Sequence, residues 1–156
     1  MAITGTFSAG NQVQFTDVEI DLDQLGTAST WNAVESWGTN LVVSGGDTPV
    51  TDFKTYTTPV IFTGEKNPYQ FVVTMLFTNT STDPWQDIMD DYLAGTDDYD
   101  IRYYPTGSST SGGQIITSSG GKLVDVGLPQ RSANDANAVE FSITIRASSI
   151  AVTQVA

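Results

Sequence analysis

Residues 69–78 constrain the fold of this chain more than any other segment, because they alternate without a break. Tyr69, Phe71, Val73, Met75 and Phe77 fall on one side of an extended strand, with Gln70, Val72, Thr74, Leu76 and Thr78 on the other. A period of two cannot present one apolar face on a helix. The apolar residues on the second side predict partial cover on both faces. A second such run, residues 138–147, sets Val139, Phe141, Ile143 and Ile145 against Glu140, Ser142, Thr144 and Arg146. Val13 and Phe15 alternate, then Val18, Ile20 and Leu22, with a one-residue phase shift at Thr16-Asp17 that a β-bulge would absorb. Leu41-Val-Val43 ends in the turn residues Ser44-Gly-Gly-Asp47. Residues 99–104 form another short run. Residues 114–117 and 122–128 bracket Ser118-Ser-Gly-Gly121, which reads as a hairpin.

One helix interrupts the strands, over about residues 84–94. Asp83 is placed to cap it, Pro84 suits the first helical position, and Gln86 can complete a capping box. Trp85, Ile88, Met89, Tyr92 and Leu93 share a face, Asp87, Asp90 and Asp91 lean the other way, and Gly95 closes the segment. Residues 29–36 are a second, short helical candidate. The expected fold is therefore mainly β. It is a β-sandwich or partial barrel with one packed α-helix at about 84–94 and a long projecting loop, all in one domain spanning 1–156.

Residues 45–67 break the pattern. Pro49, Phe53, Tyr56, Pro59, Ile61 and Phe62 are too many apolar residues for a solvated loop and too irregular for one strand. The segment is either a projecting arm that docks on something else or an irregular strand pair inside the domain. Residues 148–156 carry no charge and no strong period, and read as a terminal tail, either mobile or paired with a partner.

Composition removes whole classes of function. There is no Cys and no His, so disulfides, thiolate metal sites, cysteine nucleophiles and imidazole relays are excluded. The 18 acidic residues against 6 basic ones, a net charge of −12, oppose duplex binding, which Lys and Arg largely supply. The longest strongly apolar run, Phe71 to Phe77, is far below the roughly 20 residues of a spanning helix, and the first ten residues lack the basic and apolar regions of a secretory signal. Asp97, Asp98 and Asp100 are oxygen ligands of the kind Ca²⁺ takes, but no EF-hand spacing accompanies them, and a solvated acidic face is the expectation. No phosphate-cradling glycine loop and no nucleophile elbow is present. The expectation is a protein that is not an enzyme, with no metal and no cofactor. Trp85 belongs to the core stripe of the helix. Trp31 and Trp37 flank a polar stretch and are core, interface or ligand-facing.

The order of these pieces resembles the major tail (tail tube) proteins of long, non-contractile-tailed bacteriophages. It is carried by Trp31-Asn-Ala-Val-Glu-Ser-Trp37 before Leu41-Val-Val-Ser-Gly-Gly-Asp47, by the single helix 83–93 closed by Gly95, by Tyr99-Asp-Ile-Arg-Tyr-Tyr-Pro105, and by the last alternating strand running into Ala147-Ser-Ser-Ile-Ala-Val152. The likeness is one of layout over nearly the full length. It implies a virion protein, assembled in the host cytoplasm, that forms stacked hexameric rings. Their joined sheets would line a hollow tube, with the helix outside. Its partners would be copies of itself and other phage tail proteins, with DNA passing through unbound and no membrane involved. The resemblance also implies a stacking arm at about 45–67 and terminal arms at 1–11 and 148–156. Trp31, Trp37, Pro49, Phe53, Tyr56 and Phe62 are the candidate inter-subunit contacts. The alternative is a carbohydrate-binding β-sandwich, an adhesin module with Trp31 and Trp37 as its stacking platform.

Overall fold

The computed structural model describes residues 19–21, 31–34, 36–78, 83–105, 107, 112–130 and 139–156. The expected bulge at 16–17 and the arm at 1–11 lie outside them. Among the described residues, eleven strands and one helix follow in order: β1 (Glu19–Asp21), β2 (Trp31–Ala33), β3 (Gly38–Gly45), β4 (Val50–Lys54), β5 (Pro59–Thr63), β6 (Tyr69–Phe77), α1 (Pro84–Ala94), β7 (Ile101–Tyr103), β8 (Gln114–Ser119), β9 (Lys122–Val126), β10 (Val139–Ala147) and β11 (Ser149–Gln154). They form a five-stranded sheet in the order β11-β8-β7-β1-β2, a four-stranded sheet in the order β3-β6-β10-β9, and a separate pair, β4-β5. The fold is mainly β with one helix, as the alternation demands.

The two long alternating strands lie side by side at the centre of the four-stranded sheet, from Val139 opposite Phe77 to Ala147 opposite Tyr69. Phe71, Val73 and Met75 of β6 and Phe141, Ile143 and Ile145 of β10 all point into the core. Gln70, Val72, Thr74 and Leu76, on the second side of β6, are half-buried, the partial cover predicted for that face. The core is completed by Ile101 of β7, Tyr99, Leu123 and Val126, and by Ile88 and Met89 of the helix. Across it, Phe71 of one sheet meets Tyr103 of the other edge-on, with ring centroids 6.4 Å apart.

The helix begins and ends where the sequence placed it. Asp83 accepts the Trp85 amide at 2.9 Å, and Gly95 closes the last turn in the left-handed conformation, φ 76°. The capping box does not form. Gln86 donates instead to Asp90 one turn on, at 2.8 Å, while the second Asp83 oxygen accepts the Thr78 amide at 2.6 Å, tying the helix start to the end of β6. Trp85 is half-buried, edge-on to Phe77, and donates from Nε1 to the Gly127 carbonyl at 3.1 Å.

Three other expectations are corrected. Within 29–36, residues 31–33 are a strand paired with β1, not a helix, since so short a helix gains little on its own and strand pairing is available. Residues 118–121 do not close a hairpin: β8 and β9 belong to different sheets. Nor is 148–156 a free tail, because β11 pairs along its whole length with β8.

The last two corrections have one cause. Leu123 faces Ile145 and Lys122 faces Arg146 in one sheet; Ser119 faces Ser149 and Ser118 faces Ile150 in the other. The register is the same on both sides of the corner. β8 with β9 and β10 with β11 are thus a single antiparallel ribbon that folds from one sheet into the other at Gly120-Gly121 and Ser148. Asp100 pins this corner. Its Oδ1 accepts the Gly121 amide and the Ser118 hydroxyl, each at 2.9 Å, and Ser118 Oγ accepts the Ile101 amide at 2.8 Å. Gly121 is required there, because a Cβ would run into the Tyr99 carbonyl.

Candidate assembly surface

The β3–β6 pair also continues past its sheet. Its register ends at Gly45 opposite Tyr69. Backbone bonds then carry the two chains outward: Gly46 N to Asn67 O, Asn67 N to Asp47 O and Gly64 N to Pro49 O, at 3.2, 2.9 and 2.8 Å. Asn67 adds a side-chain bond to Asp47 at 3.1 Å. Beyond this stalk β4 and β5 pair from Val50 opposite Thr63 to Lys54 opposite Pro59. At the tip the Thr55 hydroxyl accepts the Thr58 amide at 2.9 Å, which closes the turn and holds Tyr56 in open solvent. Gly45 sets the departure angle. Its φ is +81°, and a Cβ would meet the Pro68 carbonyl.

Strand pairing fixes which side chains share a face. Thr51, Phe53, Val60 and Phe62 lie on one side of the hairpin, where Phe53 and Phe62 meet edge-on with centroids 5.5 Å apart. Val50, Asp52, Lys54, Pro59, Ile61 and Thr63 lie on the other. Phe53 and Phe62 are 55% and 57% exposed, Val50 and Ile61 56% and 66%. A concentration of apolar surface like this on an unpacked element makes the hairpin a candidate interaction site.

The six candidate contact residues fall into two groups. Pro49, Phe53, Tyr56 and Phe62 all belong to the arm, within the segment 45–67. Trp31 and Trp37 do not. Trp31 sits on β2 with the Arg102 guanidinium 4.7 Å from its ring centroid, and Trp37 is half-buried against the core. Val50 and Val60 were missed by sequence reasoning, since Val50 and Phe53 stand three residues apart and no period of two marks the strand. Two further apolar positions, Val42 and Val43, are exposed on β3, whose outer edge is unpaired among the described residues.

The acidic cluster serves the body of the fold. Asp83 caps the helix, Asp91 accepts the Tyr99 hydroxyl at 2.6 Å, and Asp100 holds the corner. Asp97 and Asp98 both clamp Lys122. Hydrogen bonding to Asp98 first, then to Asp97, pushes the Lys122 ammonium above its usual range, and burial raises the Tyr103 hydroxyl. Among the described residues no group of three or more His, Cys, Asp or Glu is arranged to hold a metal ion, and no helix is long and apolar enough to cross a membrane.

A two-sheet body, one helix and a projecting hairpin make up the fold of the described residues. Solved structures share it over almost the whole chain. The sheath–tube complex of an extracellular contractile injection system, PVC, in its extended state matches with a TM-score of 0.60 and 12% identity, covering 94% of each chain. The tube-terminating cap of the anti-feeding prophage matches at 0.64 and 13%, covering 99% of each chain. The tail of an empty GTA particle, computed with C6 symmetry, matches at 0.58 and 12%, covering 90% of this chain and 96% of that one. At such identities the likeness is one of fold. It extends to contractile systems, so the fold is broader than the non-contractile tails that the sequence layout resembles. No protein-family model matches the sequence, and no curated protein does.

Proposed function

We propose that this chain is a structural, non-enzymatic subunit of a tail tube that assembles with itself into stacked hexameric rings, the arm at 45–67 joining one ring to the next. The observation that carries this reading is the β4–β5 hairpin. It exposes Val50, Phe53, Tyr56, Ile61 and Phe62 on a fold shared with tail assemblies. Fully burying a side chain of this kind is worth roughly 1.5–3 kcal/mol. A few such anchors per arm, repeated around a ring, suffice for axial growth.

The rest of the reading follows the same line. The particle is a long-tailed, non-contractile virion, the tube is built in the host cytoplasm, other tail proteins bind its ends, and DNA passes through. Copies carrying −12 each form a wall that repels phosphate and so lets a genome slide. A sugar platform is less favoured, because Arg102 already lies over the Trp31 ring.

The test is negative-stain electron microscopy of the purified protein across a concentration series, with light-scattering mass on the same samples. Rings or hollow tubes are expected. A species that stays at the 16.7 kDa of one chain throughout overturns the proposal.

A further inference from the structure

We propose that the chain's own residues 12–18 complete the four-stranded sheet, lying along the outer edge of β3 as a fifth strand. The proposal concerns a single copy and stands apart from the tube reading.

The two flanks of the body repeat one pattern. On the first, β11, at the edge of its sheet, continues from β10, which lies beside β6; the inner strand β8 continues into β9, at the edge of the other sheet. On the second flank, the edge strand β2 continues into β3, which also lies beside β6. The inner strand here is β1, and what continues it across the corner is the chain upstream of Glu19. Placed as β9 is placed, that segment falls outside β3. The sheets then stand five on five, with β7 and β6 at their centres.

Direction and count agree with this. Glu19 lies opposite Ala33, so the preceding residues leave β1 at the end where β2 turns toward β3. The Val34 carbonyl accepts both the Trp37 and the Gly38 amides at 3.0 Å, so residues 35–37 loop out and Gly38 follows Val34 in line. The register of β3 sets aside one more residue between Gly38 and Asn40. Counting on from Val18 opposite Val34 brings Phe15 opposite Leu41 and Val13 opposite Val43.

The side-chain phase agrees as well. Val34 and Gly38 are both buried although they follow each other across the loop, a slip of one in the alternation. The upstream segment slips by one too, between Phe15 and Val18. Leu41 and Val43 lie opposite Val73 and Phe71, on the core side of β3, yet Val43 is 39% exposed. Val13 and Phe15 supply the apolar cover this margin lacks, and Gln12 and Gln14 alternate with them toward solvent. An edge occupied by its own chain no longer offers its backbone to a foreign strand.

The chain has no Cys, so pairs can be placed cleanly in dilute protein and read on non-reducing gels and by peptide mass spectrometry. Opposite positions in an antiparallel pair alternate between close and wide spacing, so Val13→Cys with Val43→Cys and Gln14→Cys with Val42→Cys cover both kinds. An intrachain disulfide is expected from at least one of them, at about tenfold or more the yield of Gln14→Cys with Val43→Cys, whose side chains face opposite ways. Disulfides between two chains, which would make this edge a joint between copies, overturn the proposal. So does a yield no higher than that of the control pair.

Amide exchange supplies a second readout without cysteines. Deletion of 1–11 should leave the β3 amides that point away from β6 exchanging as in the full chain. Deletion of 1–17 should speed them about tenfold or more while β10 stays protected. Equal rates in all three chains overturn the proposal, and if the longer deletion fails to fold, the cysteine pairs decide alone.

Discussion

Asp100 and Ser118 share a 2.9 Å hydrogen bond at the corner where the chain leaves one sheet for the other. The same carboxylate oxygen holds the Gly121 amide at 2.9 Å. Asp100→Ala strands both donors, and an unsatisfied buried donor costs about 1–3 kcal/mol. Urea unfolding should show a loss of about 2–4 kcal/mol on that basis. Asp100→Asn, which keeps an acceptor oxygen, should lose clearly less.

Asp83 divides its two oxygens between the Trp85 amide and the Thr78 amide. Asp83→Ala loses the cap, worth about 0.5–2 kcal/mol, and the tie to β6 as well. Asp83→Asn has one acceptor oxygen for two donors. Its stability, measured by the same unfolding experiment, should fall between wild type and Asp83→Ala.

Gly45→Ala forces a methyl group toward the Pro68 carbonyl at φ +81°. The left-handed backbone alone costs an alanine about 1–2 kcal/mol. The expected signature is a loss of that order in unfolding free energy, with a larger loss in assembly seen by light scattering, because the residue aims the arm.

Tyr56 extends into solvent at the tip of the arm and makes no core contact. Tyr56→Ser should leave monomer stability within about 0.5 kcal/mol of wild type, as for most surface changes. Light scattering should nevertheless show weaker tube formation. A drop in melting temperature with unchanged assembly would reverse the role given to this residue.

Two groups make the fold sensitive to alkali. Burial raises the Tyr103 hydroxyl above its ordinary 10.0, and Asp98 and Asp97 raise the Lys122 ammonium above 10.5. In each case the folded chain holds the proton more tightly than the unfolded chain. Their stabilisation is complete below those ordinary values and is lost as pH rises through the folded ones. Tyrosinate absorbance at high pH should lose a late-titrating component in Tyr103→Phe, and Lys122→Ala should flatten the alkaline fall in stability.

Where structure follows from nearest neighbours along the chain, the sequence was enough. β6 and β10 needed only their alternation, and α1 only its caps and spacing. The failures share a different character. Ser118-Ser-Gly-Gly121 is equally good turn chemistry for a hairpin and for a corner between sheets, and only Asp100, eighteen residues earlier, decides between them. Ser149–Gln154 has no charge and little pattern, yet it pairs with β8 through a partner no local rule identifies. The arm was legible as an anomaly in composition. The separation of Trp31 and Trp37 from it was not, since aromatic content says nothing of which sheet a ring lies on. Gln86 was read as a capping residue because its spacing allows it, but Asp90 offers it a partner one helical turn away.

The folded ribbon of β8–β9 and β10–β11 also governs how the chain bears mechanical load. In a sandwich whose sheets meet only through side chains, tension on one layer can shear it off the other. Here the same two backbones run through both layers and keep their register across the corner, so a pull on the five-stranded sheet is transmitted to the four-stranded sheet through covalent bonds. The layers cannot slip past each other without tearing that seam.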